Sequence, residues 1–262
     1  MGFSGLDERR RFYESEFDIG AVASWIDGRR CMRFAMIPGR HTGIVTPAHA
    51  QDKDNVVMIH DWRSASDLRE YALDYLPEGL YYDRNRYREV SKCAECRKGA
   101  LACRTCSNYD GQQLAFDLDP ENVDCPYHGH IGDKIQAGRG LSLCMYEFKA
   151  VRQQAVDLSR LMKEEYERVS VVYSGRGFHV VVDDEVAYHL TKNARAKIAR
   201  EIGRSFAIDE WVTEGSSRLL RLPWSLNGIV SRKCIIIKRE KDLVKFDPRT
   251  LRTVLPEFRR SP

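Results

Sequence analysis

The sequence contains no apolar run that approaches the roughly 18 residues a membrane-spanning helix needs. Its first segment, MGFSGLDERRRFYESEF, has no apolar stretch of the kind found in secretory signals. Internal repeats and low-complexity segments are also absent. We therefore expect a protein that is not secreted and has no membrane partner, and that acts in the cytoplasm, at the nucleoid or in a nucleus.

The composition is that of a globular protein with a full apolar core. Hydrophobic residues make up 43% and charged residues 31% of the 262 residues, which excludes intrinsic disorder as the state of the whole chain. The formal net charge of +4 is compatible with a nucleic-acid partner but does not by itself indicate one.

Apolar segments at strand spacing alternate with segments at helical spacing, which predicts an α+β fold. We expect a mainly antiparallel or mixed sheet with flanking helices, because two of the strands are joined by a tight glycine turn. The predicted strands lie at 114–118, 169–175 and 178–184, and the predicted long helices at 145–166 and 191–206.

Other segments carry weaker local signals. Residues 66–75 predict a helix with Ser66 as its N-cap, and the glycine-rich stretch 120–142 predicts a loop. No composition change marks a domain boundary, so we expect a single catalytic domain over residues 1–262. Within it, the polar, cysteine-rich segment 88–113 is predicted to be an inserted zinc knuckle.

Asp117 and Asp119 stand one residue apart at the end of the apolar strand LAFDL. Alternate residues of a strand share a face, so both carboxylates can converge on one cation. Paired hard oxygen ligands suit Mg²⁺ or Mn²⁺, and two such ions are the usual device for nucleotidyl transfer. A solvated acidic strand end would give the same short pattern.

The turn between the next two strands is rich in groups that bind phosphate. Gly175 and Gly177 let the backbone approach a ligand closely, and Ser174, Arg176 and His179 supply hydroxyl, guanidinium and imidazole donors. An ordinary glycine hairpin with a satisfied strand histidine is the alternative interpretation.

A third segment, DEWVTEGSSRLLRLPWSLNG, combines an acid with a basic strand and a proline turn. The strand that ends in Arg-Leu-Pro can present Arg221 to a phosphate, and the turn carries Asn227. A salt-bridged surface segment is the alternative, and nothing in the composition distinguishes Asp209 from Glu210.

Four cysteines form two CxxC pairs separated by six residues. Without a secretory signal, such a pattern indicates a metal site rather than a disulfide framework. Four thiolates at this spacing can close a tetrahedral zinc site, and nothing in the sequence suggests the electron transfer that an iron–sulfur cluster would serve. The predicted ligands are Cys93, Cys96, Cys103 and Cys106.

Taken together, these motifs resemble those of the archaeo-eukaryotic primase superfamily, which includes the small catalytic subunit of DNA primase and the primase-polymerases. The similarity covers roughly residues 10–250, and the motifs occur in the family's order. The matching segments are LAFDLD, SGRGFH and PWSLNG.

The resemblance implies a role for each matching residue. By this similarity the metal-binding carboxylates are Asp117, Asp119 and Asp209. The group that binds the incoming nucleotide is Ser174, Arg176, His179, Arg221 and Asn227, and Asn227 stands where many relatives have a histidine. Primase small subunits often bind zinc just after the first motif strand, which suggests a second zinc site at Cys125, His128, His130 and Cys144.

The resemblance implies a template-dependent nucleotidyltransferase that makes or extends RNA or DNA primers with Mg²⁺ or Mn²⁺ and structural Zn²⁺. Its partners would be a DNA template and primer, NTPs or dNTPs, and a primase large subunit or an end-joining ligase. One alternative is a stand-alone end-joining repair polymerase. An alternative of another class is a non-catalytic, zinc-dependent nucleic-acid-binding module, which would have no need of three converging acids.

Overall fold

The computed structural model describes residues 3–27, 29, 32–59, 61–94, 106–137, 144–216 and 218–248. Its α-helices are α1 (Leu6–Ser15), α2 (Ile19–Asp27), α3 (Ala65–Tyr75), α4 (Ser91–Ala94), α5 (Ile131–Gln136), α6 (Met145–Glu165), α7 (Glu185–Tyr188), α8 (Lys192–Gly203), α9 (Glu210–Glu214) and α10 (Glu240–Val244). Its strands are β1 (Phe34–Ile37), β2 (Val57–Ile59), β3 (Gly79–Asp83), β4 (Asn85–Tyr87), β5 (Tyr109–Gln112), β6 (Leu114–Leu118), β7 (Val169–Tyr173), β8 (Phe178–Val182), β9 (Leu219–Arg221), β10 (Leu226–Asn227), β11 (Arg232–Lys233) and β12 (Ile235–Ile237). Short 3₁₀ turns cover Pro47–Asp52 and Pro120–Asn122.

These elements form two compact units, each assembled from separate parts of the chain. The four-stranded unit comprises the described residues within Gln112–Arg218 and Ile235–Leu251. The six-stranded unit comprises those within Gly2–Gly111 and Leu219–Cys234.

The sheet of the four-stranded unit has the order β12-β7-β8-β6, and each neighbouring pair is antiparallel. All five residues of β8 are buried, and in β6 only Asp117 keeps partial exposure. Helix α6 packs on this sheet because its apolar residues recur every three or four positions and so share one face. The buried apolar residues of that face are Phe148, Val151, Ala155, Leu158 and Met162.

The sheet of the six-stranded unit has the order β11-β10-β3-β1-β2, and β9 also pairs with β3. Arg9 of α1 is fully buried in this unit. Its guanidinium donates to the carbonyl oxygens of Pro38, Ile44 and Leu76, so the buried charge is compensated by hydrogen bonds to the backbone.

The structure confirms the α+β class, the antiparallel sheets, the glycine hairpin and the long helices. Two local predictions are wrong. The N-cap of α3 is Ser64, whose hydroxyl accepts from the Asp67 amide in a capping box, and not Ser66. The predicted loop contains α5. No helix among the residues that the structure describes is long and apolar enough to cross a membrane.

Within the predicted insertion, the structure describes α4 and β5, the latter paired with β4. Residues 95–105 lie outside the described residues. The insertion and the single catalytic domain over residues 1–262 therefore stay predictions.

Candidate active site

The candidate site lies in the four-stranded unit, at the end of β6. Antiparallel pairing places Asp117 of β6 directly opposite His179 of β8, with His179 Nε2 3.3 Å from Asp117 Oδ1. Asp119 follows the strand with its backbone still extended, which keeps the two-residue period that the sequence indicated.

Asp209 reaches this strand end through its backbone. Its amide donates to the carbonyl oxygen of Asp117 at 2.8 Å, next to the bridge between Leu118 and Ile208. The Asp209 side chain caps α9 by accepting from the Trp211 amide at 2.9 Å. The adjacent Glu210 is exposed, so the backbone contact favours Asp209 over Glu210, and the role of Asp209 as a metal ligand stays a prediction.

The turn between β7 and β8 is closed by Ser174. The Ser174 hydroxyl accepts from the Gly177 amide at 3.1 Å, and the Ser174 amide donates to the Gly177 carbonyl at 3.0 Å. Gly175 has φ +97°, a conformation that side chains with a Cβ rarely adopt. This geometry holds Arg176 at the apex, beside the acids.

Gly177 packs against the end of β6 so closely that a Cβ at this position would overlap the Leu118 carbonyl oxygen and lie 3.0 Å from Asp119 Oδ1. We expect Gly177→Ala to lower the free energy of unfolding by about 1–3 kcal/mol and to displace Asp119. Urea denaturation measures the loss, and Gly132→Ala, at a helical glycine with open space around its Cβ position, is the control. Equal stability of the two variants would contradict this packing.

Arg176 forms ion pairs with two acids at once. Its Nη2 atom lies 3.0 Å from Asp119 Oδ2 and 2.7 Å from Oε1 of Glu121. Glu121 is not among the residues predicted from the sequence, because it lies beyond the strand in a 3₁₀ turn where the two-residue period ends. A third acid soon after a DxD motif is the signal that could have identified it.

Asp117, Asp119, Glu121 and Asp209 form one group, which we call the acid cluster. Burial raises the pKa of the Asp117 carboxyl well above its ordinary value, and the neighbouring Asp119 and Asp209 carboxylates raise it further. Burial and the Asp119 carboxylate also raise the pKa of Glu121 to about 7. The negative charge of the cluster therefore exceeds what Arg176 offsets.

One atom of the acid cluster indicates that the cluster binds a cation. Asp117 Oδ1 is buried and accepts no hydrogen bond, and its contact with His179 Nε2 at 3.3 Å is an ion pair only when that imidazole is protonated. A buried carboxylate oxygen that accepts no hydrogen bond is costly. Hard oxygen ligands at a site of excess negative charge are the donor set that Mg²⁺ and Mn²⁺ prefer. The residues present therefore fit a divalent ion.

Proton competition should make cation binding by the acid cluster depend on pH. Because the pKa of Glu121 is raised to about 7, this carboxyl gains its charge between roughly pH 6 and pH 8. We expect Mn²⁺ affinity, measured by calorimetry, to increase over that range, and the increase to be smaller in Glu121→Gln. An affinity that is constant over this range would contradict the assignment.

Arg221 and Asn227, the other predicted nucleotide-binding residues, belong to the six-stranded unit. Arg221 stacks on the Tyr81 ring with its Cζ atom 4.7 Å from the centroid and donates to the Tyr81 hydroxyl at 2.9 Å. The Asn227 side chain accepts from the Ile229 amide. Both side chains are buried, and their role toward a nucleotide stays a prediction.

The structure brings together three of the four residues predicted for the second zinc site. Ligand atoms of four residues lie within 4.8 Å of one another, and these residues are Cys125, His128, Cys144 and Glu147. His130 is not among them, because its ring faces solvent and pairs with Asp124. Glu147 takes its place, since α6 begins directly after Cys144 and turns this buried acid toward His128 at 3.3 Å. Two thiols, an imidazole and a carboxylate fit zinc.

A buried lysine links this group, which we call the Cys/His/Glu group, to the turn that follows Asp119. Lys134 of α5 pairs with Glu147 Oε1 at 3.1 Å and donates to the carbonyl oxygens of Glu121 and Val123. The group therefore supports the segment that carries part of the acid cluster.

Only half of the double CxxC motif can be located. Cys93 is buried and its Sγ accepts from Asn108 Nδ2 at 3.3 Å, and Cys106 is partly buried. Cys96 and Cys103 lie outside the described residues. Zinc binding by these four cysteines stays a prediction.

No protein-family profile matches the sequence, but individual proteins do. The chain is 46% identical over 248 residues to an uncharacterized DNA primase small subunit-like protein of Archaeoglobus fulgidus, covering 94% of this chain and 88% of that protein. It is 27% identical over 231 residues to the DNA primase small subunit PriS of Sulfurisphaera tokodaii, covering 72% and 69%. With PriS of Thermococcus onnurineus it shares 30% identity over 149 residues, 56% of this chain and 36% of that protein.

Among solved structures, the fold is similar to the polymerase domain of Mycobacterium tuberculosis Ligase D in complex with DNA. The TM-score is 0.49 at 14% sequence identity, covering 95% of this chain and 83% of that one.

The sequence matches define the class of protein as a nucleotidyltransferase of the primase-polymerase type. Within that class, the chain belongs to the family of DNA primase small subunit-like proteins.

Proposed function

We propose that this chain joins nucleotides on a DNA template, making or extending primers from NTPs or dNTPs at the acid cluster. The observation that carries the proposal is the buried Asp117 oxygen without a hydrogen-bond donor, which lies in a cluster of four acids in a chain of the primase family. Asp117, Asp119 and Asp209 would hold Mg²⁺ or Mn²⁺. When bound there, such ions neutralise phosphate charge and make the attacking hydroxyl more acidic.

The protein's own contribution is to position these groups. The β6–β8 pairing fixes Asp117 beside His179, and the backbone hydrogen bond from Asp209 to Asp117 fixes the third acid. Groups held in place before the reaction need no reorganisation during it, which is how such sites lower a barrier.

His179, Ser174 and Arg176 would bind the triphosphate of the incoming nucleotide. His179 is nearly buried, and its Nε2 atom lies 3.3 Å from Asp117 Oδ1, so the imidazole stands beside the proposed metal ligand. Arg176 is already paired with two carboxylates. It would be released toward phosphate when cations take over the neutralisation of Asp119 and Glu121.

For Arg176→Ala, we expect nucleotide affinity to weaken by roughly ten- to hundredfold, because a charge-assisted contact contributes about 1.5–3 kcal/mol. Template affinity should change far less. Titrations of nucleotide into the enzyme–template complex and of template into the free enzyme measure the two effects. If template affinity falls as much as nucleotide affinity, Arg176 belongs to a nucleic-acid surface.

One assay tests the function and separates its variants. The protein is incubated with template, Mn²⁺ and labelled NTPs or dNTPs, with and without a primer. Product without primer identifies a primase, for which a large subunit is the expected partner. Product only from primers or broken ends identifies an extending or end-joining polymerase, with a ligase as the expected partner. A complete lack of product, with template still bound, would support the non-catalytic nucleic-acid-binding module instead.

Zinc at the Cys/His/Glu group would be structural in this proposal. The group shares no residue with the acid cluster and is linked to it through Lys134 and the turn backbone. Two thiolates and an imidazole would fill most positions of a tetrahedral site, as in structural rather than catalytic zinc centres.

A further inference from the structure

Trp211 is an exposed aromatic side chain immediately beside the acid cluster. It is 72% exposed, and it makes no ring contact with any residue that the structure describes. Its amide binds the Asp209 carboxylate at 2.9 Å, so its backbone is fixed relative to the third acid of the cluster. An exposed indole has a flat apolar face and a polar N–H group, and such side chains are enriched where proteins contact ligands.

Helix α8 and its C-cap carry a row of cationic side chains that ends near the start of α9, where Trp211 lies. Lys197, Arg200 and Arg204 are all exposed, and their spacing of three and four residues places them along one face. Lys197 is 3.9 Å from Glu201. Arg200 and Arg204 form no ion pair within the part of the chain that the structure covers, so their charges are available.

The end of α8 contacts the start of α9. A Cβ added at Gly203 would lie 2.5 Å from Glu210 Oε1, so the backbone before Arg204 touches the residue before Trp211. The cations and the indole therefore lie on adjoining elements, with the Glu210 carboxylate at the contact between them. We call these residues the α8–α9 surface and define it by Lys197, Arg200, Arg204 and Trp211.

We infer that the α8–α9 surface binds single-stranded nucleic acid, with phosphates on Arg200 and Arg204 and an unpaired base stacked on Trp211. The inference rests on the proposed function for the continuation of that strand into the acid cluster. Unpaired cations are complementary to a phosphate backbone. The flat face of an indole is complementary to a base, and that face is accessible only where the base is not stacked in a duplex.

Fluorescence anisotropy with a labelled oligothymidine tests the inference on the full chain. Trp211→Ala should weaken binding by about tenfold, because stacking on an aromatic side chain contributes roughly 1–3 kcal/mol per base. Trp211→Phe should restore most of the affinity, which a merely structural role for the indole would not predict.

A double charge reversal, Arg200→Glu with Arg204→Glu, should weaken binding and reduce the salt dependence. For two lost phosphate contacts the slope of log affinity against log salt falls by about 1.4. The control is Lys149→Glu with Lys163→Glu on α6, which changes the net charge equally at two exposed lysines of the same unit. It should leave affinity nearly unchanged at moderate salt.

Nucleotide incorporation on a primed template, measured with the same proteins, separates the two proposals. If the wild type incorporates nucleotides and Trp211→Ala binds the oligonucleotide as tightly as the wild type, the inference is wrong and the proposed function stands. If neither the wild type nor any variant incorporates nucleotides and the binding losses still occur, the inferred binding surface is correct and the proposed function fails. Equal losses in the α8 and α6 double variants would indicate only general electrostatic attraction and would also overturn the inference.

Discussion

Asp117→Asn should lower nucleotide incorporation by at least about 100-fold, because the change removes a charged ligand from a site whose catalysis is mainly electrostatic. The same loss is expected for Asp119→Asn. Primer extension at saturating Mn²⁺ measures it, so that a simple reduction in metal affinity does not account for the result. Glu164→Gln, which removes one exposed carboxylate from α6, is the matched control and should extend primers at the wild-type rate.

Stability should change in the opposite direction to activity. Asp117 is a mostly buried acid whose pKa is raised by burial and by its acidic neighbours, so its ionised form opposes folding near pH 7 when no cation is bound. We expect metal-free Asp117→Asn to unfold at the same or a higher urea concentration than the wild type. A variant that is both inactive and unstable would indicate misfolding, and near-wild-type extension would exclude Asp117 as a metal ligand.

The acid cluster shows which parts of a site a sequence reveals. Asp117 and Asp119 could be placed together because a strand has a two-residue period, and the structure has that period through Asp119. Asp209 is 90 residues further along the chain, and only a resemblance to a family could associate it with them. A backbone hydrogen bond to Asp117 places it there. Backbone hydrogen bonds of this kind do not require a particular residue type, so they cannot be predicted from the sequence.

Two further acids, Glu121 and Glu147, could not be predicted as site residues, and the physical reason is similar for both. Glu121 contacts Arg176 because the predicted loop begins with a 3₁₀ turn. Glu147 joins the Cys/His/Glu group because α6 begins at Met145. In both cases the residue's place depends on where an element ends or begins. Such boundaries are the least certain part of a prediction from local pattern, as the Ser64 cap of α3 also illustrates.

The second large effect concerns zinc. We expect the protein, purified without added metal, to contain one zinc per chain at the Cys/His/Glu group, and a second if Cys93, Cys96, Cys103 and Cys106 also bind. Removing zinc with a chelator should lower the free energy of unfolding by about 4 kcal/mol relative to zinc at about 1,000 times its Kd, because the folded chain alone assembles the ligands. Elemental analysis and urea denaturation measure the two quantities.

Two histidines offer a matched pair for this test. His128 lies among the ligands, whereas His130, the same residue type two positions later, faces solvent. His128→Ala should therefore lose zinc and stability, and His130→Ala should lose neither. Equal zinc loss in both variants would restore the ligand set predicted from the sequence, and full zinc content in both would rule out the group as a metal site.

His128→Ala should also lower nucleotide incorporation, although His128 lies outside the acid cluster. The reason is that Lys134 connects Glu147 to the Glu121 backbone.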